Sequence, residues 1–578
     1  MSSAPDSTDA AALGPLKVSA VHSVGRVPLS PKAEGRRRKA DGKPRKTDSS
    51  SVGFRGKDMT ENRHVDETWT YHDGTKHSHQ SVRSSTHSLD FSNQPLPFKI
   101  YTTLPPIPLP TETSPITMPA LAAIAAPGAD PMEECIPDLH ALAQILHLGA
   151  GITRERRGEG WEVQFRAAAC TGALYHVELY LVCGDLPGLP AGVYHFGVHD
   201  FALRRLRAGD FRALLAGATA GEPAVAQAPA VIVCTSTYWR NAWKYQARAY
   251  RARAYRHCFW DTGTILANLL AAAAGRAVPA RVIPGFVDAA VNSLLDLDSN
   301  REASLALVPL GRTGASPPDT APTVGPLRLE TAPLSRFEVD YPAIRAMHAA
   351  SSLASKDAVA AWRGGGPSGD PPVADSRTIG LQPPGDADAP ADTVTEVILR
   401  RGSSRRFARK PLTFSQLSTM LDRATRGIPA DFLDPPGATL ISLYVIVHAV
   451  EGLAPGAYVY HRRERGLELL REGNFRNQAG YLGLEQELPA EASVNVYCLA
   501  DLKPILTRFG NRGYRAAQLE GGITGGKLYL AAYAERLGAT GLTFYDDAVT
   551  EFFSPHAAGK SIMFLTALGH PARRRAGS

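Results

Sequence analysis

The sequence predicts an α+β fold written twice in one chain, and three observations carry that expectation. Segments recur in register: Gly192-Val193-Tyr194 returns as Gly456-Ala457-Tyr458 264 residues on, Tyr255-Arg256 as Tyr514-Arg515 259 on, and Gly311 as Gly569 258 on. A repeat near 260 residues is far too long for a solenoid unit and fits a duplicated domain. Runs rich in β-formers are mixed with long apolar helical patterns. The 578 residues, 44% hydrophobic and 21% charged, have ordinary globular usage and length for two or more cores. The first copy runs from RAAACTGALYHVELYLV (166–182) to LVPLG (307–311). The second runs from RRGSSRRF (400–407) to LTALGHPARRR (565–575). Such a chain is expected to form a pseudo-dimer by itself.

Taken in order, residues 1–57 carry twelve Lys and Arg against five Asp and Glu, which is the whole net charge of +7. The basic run Arg36 to Lys46 sits among Pro, Gly, Ser and Asp without hydrophobic periodicity and reads as a disordered basic tail. The body is formally neutral, so no nucleic-acid partner is expected. The N-terminal domain is assigned to 58–311. In its Pro-rich lead, Phe91 to Pro110, proline removes donors, so the segment is expected over a surface rather than inside a sheet. Leu139, Leu142, Ile145 and Leu146 recur at helical spacing and stop at Gly149 and Gly151. Leu174–Val182 and Val231–Thr235 read as strands, and Asp261–Ala274 as a buried helix. Residues 312–390 read as a Pro/Gly-rich linker with one helix, Tyr341–Trp362. The C-terminal domain, 391–578, repeats the pattern: helix Leu412–Ala424, strand Leu440–Val447, long helix Tyr514–Leu537 and closing strand Ser561–Ala567.

The weakly polar stretches near Ala120–Ala126 and Ile265–Ala274 fall short of a membrane span, and the first residues lack a basic start followed by an apolar run. Six cysteines without a CxxC pair or Cys/His cluster point to reduced thiols in a cytoplasm and no metal site.

Candidate chemistry begins at RRGSSRRF. Arg401, Ser403 and Arg405 alternate, which places two guanidinium forks and a hydroxyl within reach of one anion. Spacing alone favours a solvated basic helix start over an anion clamp. Context decides: RxSxR ahead of a closing strand and a Gly-x-Pro-plus-arginine tail resembles the flavin-binding nitroreductase family. NQPLPFKIY, ACTGALYHVELY, WKYQARAYRH and DTGTILANL are similar to the SagB-type dehydrogenases, which include azoline oxidases of peptide natural-product pathways. The resemblance covers the chain from about residue 60 to the end, apart from the linker.

The resemblance implies a nitroreductase-like fold with FMN in the interface between two copies. It gives Arg401, Ser403 and Arg405 the phosphate clamp, puts Arg573 and Arg574 near its closing basic position, and includes Thr543 and Phe544 among the cofactor contacts. Ala169-Cys170-Thr171-Gly172 matches the Pro-Ser-Ala-Gly loop laid against the flavin. It departs at three of four positions, so a Cys170 thiol stands where serine supplies a hydroxyl and Thr171 offers a replacement. Lys244-Tyr245 matches a catalytic pair on the substrate side. Dehydrogenation of a ring bond needs a base for one hydrogen and a hydride acceptor for the other, and a lysine serves as base when burial or nearby cations lower its pKa. Cys170 and Cys258 otherwise read as small buried side chains, and His257 and His570 as packed or hydrogen-bonded histidines.

The copies complement each other. The first has FKIYTTLPPIPLP where a clamp is expected, and the second has Asp434-Pro435-Pro436-Gly437 at the ring-loop position. One complete site, and so one FMN per chain, is the expectation. The implied activity is a SagB-type oxidation of a ring or amino-acid unit in a small-molecule or peptide substrate, with a cyclodehydratase as possible partner. The alternatives are an NAD(P)H-dependent nitro or quinone reductase and a flavin-free, peptide-binding scaffold.

Overall fold

The computed structural model describes residues 61–84, 89–126, 128, 133–158, 161–245, 251–370 and 378–572. The basic tail assigned to 1–57 lies outside them. Two antiparallel sheets and the helices between them make one continuous apolar core. The first half supplies strands β1 (Ile107–Pro108), β2 (Ile152–Gly158), β3 (Trp161–Arg166), β4 (Val177–Cys183), β5 (Gly192–Gly197), β6 (Ala202–Ala208), β7 (Ala230–Thr237) and β8 (Glu302–Leu310). The second half supplies β9 (Ile379–Gly380), β10 (Ile441–Val447), β11 (Gly456–His461), β12 (Gly466–Glu472), β13 (Val494–Ala500), β14 (Gly538–Leu542) and β15 (Ser561–Gly569).

The sheets share a strand order. The run β6-β5-β4-β7-β8 in one matches β12-β11-β10-β13-β15 in the other. Their irregularities match as well: register shifts at Val193/Tyr194 and Cys234/Thr235 recur at Ala457/Tyr458 and Cys498/Leu499. Bulges re-aim a strand, so their return at equivalent places preserves the same twist in both sheets. Strands β4, β7, β10 and β13 are buried at every residue, which accounts for their nearly unbroken β-branched and aromatic runs. The helix Leu139–Ala150 starts on an Asp138 side-chain cap, and its counterpart Phe414–Thr425 starts on a Thr413/Gln416 capping box.

Two long helices, Ala254–Gly275 and Arg512–Ala534, cross between the sheets at a pair of glycines. A Cβ on Gly263 would stand 2.5 Å from the Gly522 carbonyl carbon, and one on Gly522 would stand 2.6 Å from Trp260 O. Only glycine permits this approach. At the start of each helix, two arginines reach an aspartate of the opposite half. Arg253 and Arg256 meet Asp546 at 2.8 and 2.7 Å, and Arg512 and Arg515 meet Asp288 at 2.6 and 2.9 Å. Burial would raise the Asp288 carboxyl, but Arg512 and Arg515 hold it at about 2.

Three expectations need correction. The span Tyr341–Trp362 is two helices, Pro342–Ala350 and Lys356–Trp362, because Ser355 caps a new start: its side chain accepts from Ala358 N. Residues 312–390 are also more than a connection. Ile379–Gly380 adds an edge strand to the second sheet, and the Pro342–Ala350 helix packs its end on Arg515, which donates to His348 O and Ser351 Oγ. The Pro-rich lead also contributes to a sheet through β1, confined to the edge where proline is tolerated. The helix Asp66–Gly74 and the hairpin β2–β3 were not anticipated.

Two outcomes follow for stability. Gly522→Ala should lower stability by about 1–3 kcal/mol, as overpacking does, and a chemical denaturation midpoint equal to wild type would remove the glycine crossing as a constraint. Asp288→Asn leaves two buried guanidinium groups without their carboxylate and should cost about 3–5 kcal/mol. Since the folded pKa lies below the ordinary value, that contribution is complete above about pH 4 and is lost as pH falls through about 2. Acid titration of stability should therefore be flatter in the variant.

Candidate functional site

The loop Ala169–Gly172 leaves β3 and is held by the first long helix. Asp261 of that helix accepts from Thr171 N at 3.0 and 2.9 Å, from Thr171 Oγ1 at 2.8 Å and from Cys170 Sγ at 3.2 Å. Thr264 Oγ1 donates to Ala169 O at 2.6 Å. Behind the aspartate, His176 shares a 2.7 Å bond through Nε2 and contacts Ser236 Oγ through Nδ1 at 2.8 Å. Burial alone would raise the Asp261 carboxyl, and the His176 bond leads the contributions that pull it below the usual range. The Cys170 thiol is pushed well above its ordinary value by burial and then by Asp261, so it stays protonated and offers no thiolate nucleophile. The ligand-type atoms of Cys170, His176 and Asp261 lie within 4.8 Å of one another. Their mutual hydrogen bonds account for that closeness.

Gly172, at φ +65°, lies against Lys244 and Tyr245: an added Cβ would stand 2.7 Å from the Tyr245 hydroxyl and 3.3 Å from Lys244 Nζ. The catalytic pair and the ring loop expected from sequence are thus together. Tyr245 stacks edge-on against His257 at 4.9 Å, and its hydroxyl is raised chiefly by burial. Lys244 is half-buried and its amine is lowered, first by burial and second by the Arg405 guanidinium, which comes from the other half. Both causes are those that make a lysine available as a base.

The three clamp positions do different things. Arg401 is buried and turned onto the first half, with Nε donating to Ala167 O at 2.7 Å and Nη2 to Arg166 O at 3.0 Å, just ahead of the ring loop. Ser403 Oγ lies 3.3 Å from the Tyr529 hydroxyl, which accepts from Gly541 N. Arg405 is exposed and has no carboxylate or hydrogen-bond partner among the described residues. Arg573 and Arg574 lie outside the described residues; Ala572 N donates to Arg406 O at 3.1 Å beside the clamp.

Thr543 and Phe544 complete the wall. Phe544 packs on Trp260 at 5.7 Å, Trp260 on His257 at 4.9 Å, and His257 on Tyr245. Arg253 covers both Trp260 and Phe544. The contacts therefore run from Ser403 through Tyr529 and Gly541 to Phe564, Trp260, His257, Tyr245 and Gly172, and the Arg405 charge reaches Lys244. Both halves contribute. Cys258 is fully buried, while His257 shares a 2.7 Å bond with Asn241 Oδ1 and is lowered well below the usual range by burial. His570 bonds Pro411 O on the exterior.

Asp261, His176 and Trp260 were missed from sequence. A lone acid in DTGTILANL carries no local signal of the loop it holds, although its place in a mostly apolar helix was the available clue. The set suits a planar cofactor with an anionic tail. Arg405 offers an unpaired cation, Thr543 Oγ1 is a buried hydroxyl without a partner among the described residues, and a Cβ on Gly402 would meet nothing nearer than 3.4 Å.

A model described as Nitroreductase family matches residues 140–312. A Methanocaldococcus jannaschii protein named as a nitroreductase is 26% identical over 174 residues, 30% of this chain and 80% of its own length. A crystal structure from Anabaena variabilis, titled as a nitroreductase, is 26% identical with a TM-score of 0.69, covering 88% of this chain and 99% of that one. That likeness takes in both sheets, not one half alone. Residues 140–312 are therefore similar to a nitroreductase-family domain, within a nitroreductase-like α+β fold that spans nearly the whole length of the chain.

Proposed function

We propose that this protein is an FMN-dependent dehydrogenase of SagB type, built as an intrachain pseudo-dimer of two nitroreductase-like domains, with one FMN between the halves. Its substrate is a ring or amino-acid unit of a peptide-derived molecule, oxidised from azoline to azole. The observation that carries this reading is the meeting of Lys244 and Tyr245 with Gly172 of the Cys170 loop, where burial and the Arg405 charge of the opposite half lower the lysine pKa. A generic reductase receiving hydride from a nicotinamide has no use for a lysine whose pKa is lowered. A dehydrogenase that removes a ring proton does.

In this reading Arg405, Ser403 and Thr543 hold the cofactor, and Arg401 positions the ring loop by fastening the carbonyls ahead of it. Bound FMN would supply hydride acceptance. Lys244, whose charged form burial and Arg405 disfavour, takes the substrate proton. Tyr245, kept protonated by burial, donates a hydrogen bond and orients the substrate. Asp261 and His176 keep the loop fixed while this occurs. The names of the relatives favour a second reading, an NAD(P)H-dependent nitro or quinone reductase, in which Lys244 is only a wall residue.

Purified protein should carry about one FMN per chain. Arg405→Ala removes a charge-assisted hydrogen bond of about 1.5–3 kcal/mol and should weaken FMN about 10-fold to 100-fold while leaving the apo-protein's Tm unchanged. Arg401→Ala should lower that Tm as well, because its fork joins the halves; equal behaviour of the two variants would refute their division of roles.

Lys244→Ala and Tyr245→Phe should retain flavin, and the lysine variant should slow flavin reduction by an azoline-containing peptide about 100-fold or more, with dithionite reduction unaffected. The rate should rise with pH through a pKa below the free lysine value. At saturating FMN, Arg405→Ala removes one of the two causes of that depression, so the limb should move to higher pH. A limb that stays in place would separate Arg405 from Lys244. Wild-type turnover of the azoline peptide by Lys244→Ala, with brisk quinone reduction by NADPH, would favour the generic reductase.

A further inference from the structure

The two halves are equivalent in frame and unequal in filling. Under the offsets that relate them, the first site has a counterpart across the molecule. Asp434–Gly437 answers the Cys170 loop 264 residues on, the helix Leu502–Phe509 answers the segment that carries Lys244 and Tyr245 259 on, and Gly285-Phe286 answers Thr543-Phe544 258 back. Asp546 and Asp288, equivalent in the same 258-residue register, confirm that correspondence through their matching arginine pairs.

All three walls of this counterpart are covered by one segment, Val359 to Gly369. Trp362 is 1% exposed. An added Cβ on Gly285 would stand 3.0 Å from its ring atoms Cε3 and Cζ3, and its ring lies 5.4 Å from Phe509 and 6.3 Å from Phe432. Behind it, Arg508 donates to four carbonyls of this strap, Ala361 O, Arg363 O, Gly364 O and Gly365 O, at 2.9 to 3.1 Å. Gly364 N donates to Asp431 O, and Gly369 N to Thr439 O at 2.5 Å, on either side of the Asp434–Gly437 loop. The glycines are required by closeness: a Cβ on Gly366 would stand 2.8 Å from Phe509, and one on Gly369 2.4 Å from the backbone at Leu440 and Ile441.

We propose that Trp362 and the Gly-rich strap behind it are a resident plug, filling in the second half the place that the cofactor takes in the first. This rests on the reading of the first site as a flavin site between the halves. The indole is a flat, apolar, bicyclic ring set between aromatic walls, which is the chemistry a flavin ring system would satisfy. Its Nε1 donor is buried without a hydrogen-bond partner among the described residues. A core position built for tryptophan ordinarily satisfies that donor, whereas a place shaped for another ring need not. The plug also explains how a half without an arginine clamp keeps a packed interface: it supplies the buried ring itself.

The test uses the full-length chain with FMN in the first site. Trp362→Gly should lower Tm, indole should restore Tm in the variant and leave wild type unmoved, and lumiflavin, the ring without a phosphate, should bind the variant with one additional equivalent per chain. Failure of indole to restore Tm, or equal lumiflavin binding in wild type and variant, would overturn the plug. Wild-type protein supplies a measurement that survives poor folding of the variant. On removal of FMN, hydrogen exchange should quicken in 169–172 and stay slow in 359–369 and 434–437; equal quickening in both places would overturn the proposal too. Wild type that binds no FMN would sink the cofactor reading, and the indole arm, which needs neither flavin nor activity, would still judge the plug.

Discussion

Everything in this molecule hangs on the approach of two helices at Gly263 and Gly522. At that crossing each glycine faces the other helix's backbone, with no room for a Cβ on either side. The two glycines are equivalent under the 259-residue offset that also relates Arg253 to Arg512 and Arg256 to Arg515. A close, nearly self-complementary contact of this kind is what an isologous dimer makes at its two-fold axis. Here one chain makes it with itself. The arginine pairs then act outward from the crossing, each reaching an aspartate in the opposite half, and buried guanidinium groups tolerate no loss of that partner.

Symmetry at the axis sets up asymmetry away from it. A two-fold arrangement offers two equivalent clefts, and fusion into one chain lets them diverge. One cleft joins RxSxR of the second half to the ring loop of the first. The other lacks the clamp and has Trp362 packed against Gly285. Gly285 stands where the proposed cofactor cleft has Thr543, so the smaller residue admits the indole, while the Thr543 hydroxyl has no partner among the described residues. The same pair of equivalent positions thus distinguishes the proposed cofactor place from the place of a side chain.

Much of the fold was legible because it is local. Strand runs such as Val231–Thr235 and helices such as Leu412–Ala424 follow hydrophobic period and capping, and the structure moves their ends by only a residue or two. The Lys244-Tyr245 pair and the ring loop, far apart in sequence, were legible through resemblance and do meet. What was not legible depends on partners distant in sequence. Arg401 and Arg405 look alike in RRGSSRRF, yet one is captured by carbonyls at Arg166 and Ala167 and the other stays exposed. Trp362 sits among Gly, Pro and Ser, a composition that reads as a loose connection until the wall it packs on is known. Asp261 carries no local signal, because its five side-chain contacts come from residues 85 to 91 positions away.

The electrostatics of the site follow from the same geometry. Lys244 belongs to the first half, and its pKa is lowered partly by its own burial and partly by a cation that the second half brings across the interface. Neither half alone produces that environment. If the helices parted at the glycine crossing, Arg405 would recede from Lys244, Arg401 would leave the carbonyls at Arg166 and Ala167, and the lysine would regain water. The proposed base Lys244, the proposed anion-binding Arg405 and the Cys170 loop are therefore not three independent features. They are consequences of one docking event, and the chemistry proposed for this protein is available only in the docked state.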